Sequence, residues 1–401
     1  MENNDKIEDI GEEDVADYSI HAKDFRDIVV WGTDWTVETI INQIKKGNID
    51  LQPDFQRRDA WNIAEKSRFI ESLFLNIPIP PIILAEHSNN KGKFIVIDGK
   101  QRLSTIMQFC ATHADNGDVF KAFNLKELEV RPELNGKSYT DLESDIVYVD
   151  DMASFLNQTI RTIVLKNWAK EEALYSIFLR LNTGSKKLSP QELRQALHPG
   201  EFLQFIDKKC DSSTIVKNML GLKKPDSRMR DAEIIVRYYA FKLYITSYDG
   251  KLKNFLDNTC KKSNNGWDSQ KYEDIFLELE NAITLCNGIF GNNAFSRYNP
   301  KAGTFSNRFN RALFDPLAYY FSDPSVRRQV EQNKDKFRDN FIEKSKDDPD
   351  FNNSLELSTK TLERVTYRFN IIEDIIRDSC SQAIILNHIS HDNKKLSVVK
   401  K

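Results

Sequence analysis

"KFIVIDGKQRLSTIMQF", residues 93–109, changes from a strand pattern to a helix pattern with no loop in between. Residues Phe94–Ile97 are apolar and mostly β-branched, which is typical of a buried strand, whereas residues 104–109 have the apolar spacing of a helix. Only the sequence DGKQR, residues 98–102, separates the two patterns. We therefore predict a strand that turns directly into a helix, whose first N–H groups point beyond the end of the strand.

This junction predicts an anion site, because unpaired N–H groups and the helix dipole both favour negative charge at a helix start. Gly99 would let the backbone turn tightly, while Lys100 and Arg102 add positive charge. Arg102 can also bind two phosphate oxygens at once. Asp98 would be repelled by phosphate unless it binds a metal ion, orients a water molecule or holds one of the cations. The alternative is an ordinary Asp-Gly turn, in which Asp98 caps the helix and the cations face solvent.

Two other segments combine basic and polar residues. "QPDFQRRDAW", residues 52–61, precedes a predicted helix, and "RLNTGSKKLSPQELRQA", residues 180–196, joins a helix end to a new helix. In the second segment Ser189, Pro190 and Glu192 predict an N-cap, a first helical position and a capping box. Taken alone, each segment is more readily interpreted as a solvated connector than as a binding site.

The composition is that of a globular protein outside the membrane. Among the 401 residues, 40% are hydrophobic and 29% are charged, and no apolar run approaches the roughly 18 residues that cross a bilayer. Residues 1–18 carry eight acids and one lysine, so the net charge of −3 becomes +4 once that −7 segment is removed. The five cysteines form no CxxC pair, and we expect reduced thiols in a cytoplasmic protein.

The hydrophobic pattern divides the chain into two kinds of structure. Helices are predicted near residues 37–44, 63–74 and 169–181, and strands over 82–85, 94–97 and 159–165. Beyond about residue 215 the apolar spacing is helical. We therefore predict an α+β fold, in four parts: an acidic, disordered leader (1–30), a mixed α/β domain (31–212), an all-helical domain (213–392) and a basic, frayed tail (393–401).

The order of five segments resembles the DUF262 family, whose members include the N-terminal part of GmrSD-type modification-dependent restriction enzymes. The segments are "FQRRDAW", "IPIPPIIL", "FIVIDGKQRLSTI", "FLRLNTGSKKLSPQELRQA" and "RMRDAEIIVRYYAF", and they cover roughly residues 35–245. The resemblance implies a ParB/sulfiredoxin-like α/β domain with attached helices. It also implies that a DGQQR-type motif binds and hydrolyses a nucleoside triphosphate (NTP), coupled to action on foreign DNA. Lys100 stands where the family often has glutamine.

On this resemblance we expect an NTPase of the phage-defence restriction type, with an NTP and Mg²⁺ at the motif. Asp98 would be the metal-linked or water-orienting catalytic residue, and Arg102 the main phosphate clamp. The expected nucleotide-binding residues are Gln56, Arg57, Gly99, Lys100, Gln101, Arg102, Asn182 and Lys186.

Two alternatives to an NTPase stay open: a DNA-binding module that hydrolyses nothing, and a ParB-like domain that is itself a nuclease. Longer relatives carry an HNH-like nuclease domain, but His388 and His391 lack a following cluster of ligands, and we interpret them as a helix end. A separate nuclease subunit, self-association and the preferred base are also left open.

DNA contact is predicted at Arg308 and Arg311, because this part of the helical domain interleaves cations with aromatic residues. Such cations can follow a nucleic-acid backbone while the aromatic rings stack on bases. The alternative is a solvated helix face above the core.

Overall fold

The computed structural model describes residues 21–51, 61–88, 90–111, 120–181, 189–380, 384–392 and 394–400. The described residues fall into two compact units, which meet in the sequence at Leu197 and His198. The predicted boundary at residue 212 lies later in the chain. None of the helices in the described ranges combines the length and apolar character that crossing a bilayer requires.

The first unit is built on a mixed four-stranded sheet. Its outer strand β1 pairs antiparallel with β4, β4 pairs parallel with β2, and β2 pairs antiparallel with β3. A parallel pair needs a long crossover connection, and the chain between β3 and β4 provides it with helices. The strands are β1 (Val29–Thr36), β2 (Ile82–Glu86), β3 (Phe94–Asp98) and β4 (Thr159–Lys166).

Helices cover both faces of this sheet, because successive strand residues point to opposite sides. Leu84 packs in one core with Val37 and Leu103, whereas its neighbour Ile83 packs in another with Leu193. The sheet is therefore a buried layer between two groups of helices. The seven helices described in this unit are α1 (Val37–Lys45), α2 (Ile63–Phe74), α3 (Lys100–Phe109), α4 (Tyr139–Ser144), α5 (Val149–Asn157), α6 (Glu171–Leu181) and α7 (Pro190–Leu197).

Most elements predicted for this unit are confirmed, including the capping box of α7. The Ser189 N–H donates to Glu192 Oε2 at 2.6 Å, and the Glu192 N–H donates to Ser189 Oγ at 3.1 Å. Strand β1 was not predicted. As an edge strand it leaves Val30 and Trp31 largely exposed, so its sequence lacks the apolar alternation of a half-buried strand.

The second unit is mainly helical over residues 201–379, as predicted. Its helices are α8 (Glu201–Ser212), α9 (Thr214–Leu220), α10 (Arg230–Tyr244), α11 (Leu252–Asn265), α12 (Ser269–Phe290), α13 (Arg311–Phe321), α14 (Pro324–Gln332), α15 (Lys334–Asp347), α16 (Pro349–Glu356) and α17 (Leu362–Ser379). Two short strand pairs complete it: β5 (Tyr298–Asn299) with β6 (Thr304–Phe305), and β7 (Asn387–His391) with β8 (Leu396–Lys400).

The interpretation of His388 and His391 as a helix end is wrong, and so is that of a frayed tail. Both histidines lie in β7, and the tail forms β8. Tertiary contacts explain the difference: His388 Nδ1 lies 2.9 Å from Glu373 Oε2 on α17, and Leu396 is fully buried. The Leu396 N–H also donates to the carbonyl of Tyr248 at 2.9 Å.

A buried charge cluster joins three helices of the second unit. Asp315 on α13 accepts two hydrogen bonds from Arg237 on α10, both at 2.8 Å, and one from Arg368 on α17 at 3.1 Å. All three side chains are at most 1% exposed. Arg368 also donates to the carbonyl of Thr359. One carboxylate therefore holds two guanidinium groups inside the helical core.

Candidate functional site

The predicted strand–helix junction is present. Strand β3 ends at Asp98, Gly99 is the N-cap residue, and α3 begins at Lys100. No side chain among the described residues caps this helix start. Asp98 therefore does not act as the cap, and the first N–H groups of α3 have no acceptor within the helix. They form a set of backbone donors at the end of a buried strand.

Gly99 is required by backbone conformation and by space. Its φ of 100° lies in the left-handed region, which is unfavourable for residues that carry a Cβ atom. A Cβ atom at this position would lie 2.8 Å from Cδ1 of Ile82 and 3.4 Å from Nη2 of Arg102. A larger residue would therefore push on the residues that shape the junction.

We expect Gly99→Ala to lower the free energy of unfolding by about 1–3 kcal/mol, because it adds backbone strain at a crowded position. Gly136→Ala is the matched control, since Gly136 also has a positive φ (83°) but nothing within 4 Å of its Cβ position. Urea denaturation of both variants measures the difference. Equal losses would show that crowding at the junction contributes nothing.

Arg102 is held by protein groups on two sides. Its Nη2 donates to Asp98 Oδ2 at 2.9 Å, and its Nη1 donates to the carbonyls of Pro80 and, at 3.2 Å, of Pro81. Burial lowers the pKa of the guanidinium, and the Asp98 carboxylate offsets part of that decrease. Arg102 thus fastens the junction to the segment before β2. Its predicted role as a phosphate clamp stays a prediction.

The other two residues of the motif face different surroundings. Lys100 is half-buried at the first position of α3. Gln101, the second residue, has a buried Oε1 atom with no hydrogen-bond partner among the described residues. A buried acceptor without a donor is unfavourable, so a ligand hydroxyl or N–H that reached it would gain a hydrogen bond. This atom is the feature of the motif that best fits a bound molecule.

Asp98 fits a magnesium ion that is held mainly by phosphate and water. Its side chain is 38% exposed, and one carboxylate oxygen is used by Arg102. Within the described ranges, no group of three His, Cys, Asp or Glu residues could hold a metal ion. Mg²⁺ commonly keeps several waters and takes only one or two carboxylates beside substrate phosphates. The described residues of this motif therefore do not form a metal site from protein ligands alone.

Four predicted nucleotide-binding residues lie outside the described residues: Gln56, Arg57, Asn182 and Lys186. Their contribution to the site stays a prediction. The segment of Pro80 and Pro81, in contrast, belongs to the site although sequence reasoning assigned it no role. The double proline was visible in "IPIPP", but no sequence pattern shows which carbonyls an arginine will bind.

The structure separates the two cations predicted to contact DNA. Arg308 is exposed, whereas Arg311 is 8% exposed and its Nε lies 3.6 Å from Glu233 Oε1. The aromatic residues around them pack with one another, as Phe295 does with Phe309. Arg308 is therefore the one of the two that is placed to meet a DNA backbone, and DNA contact there stays a prediction.

Comparison with known proteins identifies the region that contains this site. Residues 37–199 match the family described as GmrSD restriction endonuclease, N-terminal domain. No curated protein and no solved structure matches the chain. The family match confirms the resemblance seen in the sequence and supports a restriction-type protein of phage defence. Residues 37–199, with the β3–α3 junction inside them, belong to the family of GmrSD restriction endonuclease N-terminal domains.

Proposed function

We propose that this chain is an NTP-dependent protein of restriction type that acts on or senses foreign DNA, and that the NTP phosphates bind at the β3–α3 junction. One observation carries the proposal: an uncapped helix start directly follows a buried strand through a glycine with positive φ. Backbone N–H groups in this arrangement suit phosphate oxygens. The family match to a restriction-type protein agrees with it.

Each residue of the motif has a different role in this proposal. The N–H groups of residues 100–102 and the ammonium group of Lys100 bind phosphate oxygens, and Gln101 Oε1 accepts a hydrogen bond from the sugar or base. Asp98 would hold Mg²⁺, which would neutralise part of the phosphate charge. Arg102 keeps Asp98 in place through the bond at 2.9 Å.

Hydrolysis then needs only a positioned water molecule. The water oxygen forms a bond to the terminal phosphorus while the bridging P–O bond breaks, and the leaving nucleoside diphosphate takes the electron pair. One oxygen of Asp98 accepts from Arg102, so the other is available either to hold Mg²⁺ or to orient this water and accept its proton. The alternative without hydrolysis is a module that uses the same donors for DNA backbone phosphate.

Thermal-shift screening with ATP, GTP, CTP and UTP in the presence of Mg²⁺ tests nucleotide binding. A ligand at 100 times its dissociation constant stabilises the folded state by about 2.7 kcal/mol, so we expect at least one NTP to raise the melting temperature clearly. Lys100→Ala should lower the binding affinity for that NTP by about tenfold to a hundredfold, since a charged hydrogen bond contributes about 1.5–3 kcal/mol.

Lys91→Ala is the matched control, because Lys91 is exposed in the turn at the opposite end of β3. It should leave nucleotide affinity unchanged. The absence of a shift with all four NTPs would contradict the proposal, as would full affinity in Lys100→Ala. DNA retention that falls steeply with salt, without any NTP effect, would favour the non-hydrolysing DNA module. Plasmid cleavage with Mg²⁺ alone would favour the nuclease alternative.

A further inference from the structure

A cavity of about 390 Å³ lies within the second unit, where three parts of the chain meet. Its walls come from α10, from the corner between α13 and α14, and from the β7–β8 hairpin. This volume is within the range of sites that bind small molecules. All of its lining residues belong to the second unit, whereas the β3–α3 junction belongs to the first. The polar lining residues include Lys242, Tyr319, Asp323, Ser325, Asn387 and Lys400.

The hairpin contributes a lysine to this cavity. Lys400 on β8 lies directly opposite Asn387 on β7, so both side chains project from the same face of the hairpin. Asn387 is fixed at the wall, because its Nδ2 donates to the hydroxyl of Tyr319 at 2.8 Å and its carbonyl accepts from Tyr320 at 2.7 Å. Lys400 is exposed, and its ammonium group has no hydrogen bond or ion pair with a described residue. It therefore brings positive charge to the cavity.

Two further hydrogen-bond donors line the same cavity. Lys242 donates to Ser322 Oγ at 2.9 Å and lies 2.8 Å from Glu278 Oε2, so its third N–H remains for a ligand. The Tyr319 hydroxyl accepts one hydrogen bond, which leaves its own hydrogen to be donated. Burial raises the pKa of Tyr319, so the hydroxyl keeps this hydrogen at neutral pH. Because Glu278 offsets the charge of Lys242, the net positive charge comes from Lys400.

The corner between α13 and α14 adds an acceptor. Asp323 caps α14, and its Oδ1 accepts from the N–H and hydroxyl of Ser325 at 2.7 and 2.6 Å and from the N–H of Val326 at 3.3 Å. None of these bonds uses Oδ2. A carboxylate only accepts hydrogen bonds, so Oδ2 favours a hydroxyl group and repels a bare anion. The cavity thus presents donors for an anion together with an acceptor for a hydroxyl group.

We propose that this cavity binds a phosphorylated sugar, either free or as part of a mononucleotide. Lys400, Lys242 and the Tyr319 hydroxyl donate to the phosphate oxygens, and Asp323 Oδ2 accepts a hydrogen bond from a sugar hydroxyl. An inorganic anion satisfies the donors, but it lies beside a carboxylate that repels it. A neutral sugar satisfies the carboxylate but leaves the charge of Lys400 unused. A molecule that combines both groups uses the whole polar lining.

Isothermal titration calorimetry of the full chain at constant ionic strength tests the proposal. The probes are ribose 5-phosphate, AMP, UMP, ribose and inorganic phosphate. From the size of the molecule we expect a dissociation constant on the order of 1 mM for ribose 5-phosphate. Ribose and inorganic phosphate should each bind at least about tenfold more weakly, because each lacks one set of hydrogen bonds.

The mononucleotides identify the source of the sugar phosphate. Val326, Ile385 and Leu386 add apolar surface to the lining, which a base can cover. Tighter binding of AMP or UMP than of ribose 5-phosphate identifies a mononucleotide, and binding that is no tighter identifies a free sugar phosphate. Inorganic phosphate that binds as well as ribose 5-phosphate would be an adventitious ion only, and this result overturns the proposal. So does the absence of binding by all three sugar phosphates.

Lys400→Glu is the main variant, because Lys400 is exposed and its replacement should not disturb folding. It should lower the affinity for ribose 5-phosphate by about tenfold to a hundredfold. Lys394→Glu is the matched control, since Lys394 is exposed in the turn of the same hairpin but does not line the cavity. Unchanged affinity in Lys400→Glu, or equal losses in the two variants, overturns the proposal.

Asp323→Asn separates recognition of the sugar from recognition of the anion. Asparagine is also a good N-cap, so α14 keeps its cap while an amide donor replaces the acceptor Oδ2. Ribose 5-phosphate should bind about threefold to tenfold more weakly. Inorganic phosphate should bind no more weakly, because a negative charge has been removed. Equal losses for both probes overturn the assignment of a sugar hydroxyl to Asp323.

Exchanged variants distinguish this cavity from the β3–α3 junction. Lys100→Ala should leave the affinity for ribose 5-phosphate unchanged, and Lys400→Glu should leave NTP affinity at the junction unchanged. Ribose 5-phosphate binding that is lost in Lys100→Ala and kept in Lys400→Glu would place the sugar phosphate at the junction and overturns the cavity assignment. Failure of every NTP to bind contradicts the proposed function alone, since the cavity is tested by ribose 5-phosphate.

Discussion

Replacing Asp315 with alanine is expected to lower the free energy of unfolding by about 3–5 kcal/mol, among the largest effects of any single substitution in the helical unit. The carboxylate binds Arg237 through both oxygens and Arg368 through one of them. Its removal takes one shared counter-charge from two guanidinium groups that are at most 1% exposed. An uncompensated buried charge is far more costly than the lost bond itself.

The measurement is urea denaturation followed by circular dichroism. Asp315→Asn belongs in the same series, because it keeps the shape of the side chain while removing its charge. Its free energy of unfolding should fall by most of the amount expected for Asp315→Ala. If the alanine variant does not fold, Asp315→Asn can still be measured. Asp335→Ala is the control, since Asp335 pairs with Arg338 at 3.1 Å while 85% exposed. Exposed pairs contribute little, so its denaturation midpoint should stay close to that of the original chain.

A loss below about 1 kcal/mol in Asp315→Asn would show that water or rearranged side chains compensate the arginines. The physical explanation also predicts a rescue. Replacing all three residues with apolar ones of similar size removes the charges together, and such exchanges are often neutral or stabilising. A triple variant Arg237→Met, Asp315→Leu, Arg368→Met should therefore be more stable than Asp315→Ala alone.

The sequence predicted those parts of the fold that depend on local signals. Residues Phe94–Ile97 are apolar in succession because β3 is covered on both faces, and Ser189 with Glu192 forms a local capping box. Both patterns are complete within a few residues. The DGKQR motif is also local, so the strand, the glycine and the helix start could be placed without knowing any neighbour.

The features that were missed depend on contacts between distant segments. β1 is a strand because it pairs with β4, although its exposed side chains carry no alternation. The β7–β8 hairpin is fixed by Glu373 and Tyr248, which lie far from it in the sequence. Composition suggested a frayed tail at residues 393–401, but composition does not report such pairing. The ends of strands that form through contacts with distant segments cannot be predicted from the local hydrophobic pattern.

The candidate site shows the same division. Its predicted anion-binding character depends on residues 98–102, which are contiguous, whereas the carbonyl acceptors of Arg102 lie about twenty residues earlier. From the sequence, Arg102 could be described as a phosphate clamp, as the cation that Asp98 holds or as a solvated cation, but its carbonyl acceptors could not be named. The structure surrounds it with protein groups, so Arg102 can also act by holding Asp98 and the segment before β2.

Replacing Arg102 with alanine is expected to reduce NTP turnover by about a hundredfold or more, because the variant loses either a charged contact to the reacting phosphate or the donor that holds Asp98 in place. It should also lower the free energy of unfolding by about 2–3 kcal/mol, because the Pro80 carbonyl and Asp98 lose a charged donor. Turnover must therefore be measured well below the melting temperature of the variant. Phosphate release and thermal denaturation are the two measurements.

Arg161→Ala is the matched control, since Arg161 pairs with Asp34 on the same sheet but is 58% exposed. It should change neither quantity appreciably. Phosphate release by folded Arg102→Ala at the rate of the original chain would exclude Arg102 from the site altogether. Such a result would leave the backbone donors of α3 and Lys100 as the only motif groups available to the phosphates.

Arg102→Lys distinguishes the two roles of this residue. A lysine keeps the positive charge but has no planar fork, so it cannot bind Asp98 and the Pro80 and Pro81 carbonyls together. If Arg102 acts mainly by charge on phosphate, the lysine variant should retain a substantial part of turnover. If it acts by holding Asp98 and the segment before β2, the lysine variant should lose nearly as much turnover as the alanine variant, and kcat should fall by a larger factor than KM rises. The contacts at 2.9 and 3.2 Å favour the second outcome, because they already use both terminal nitrogens of the guanidinium.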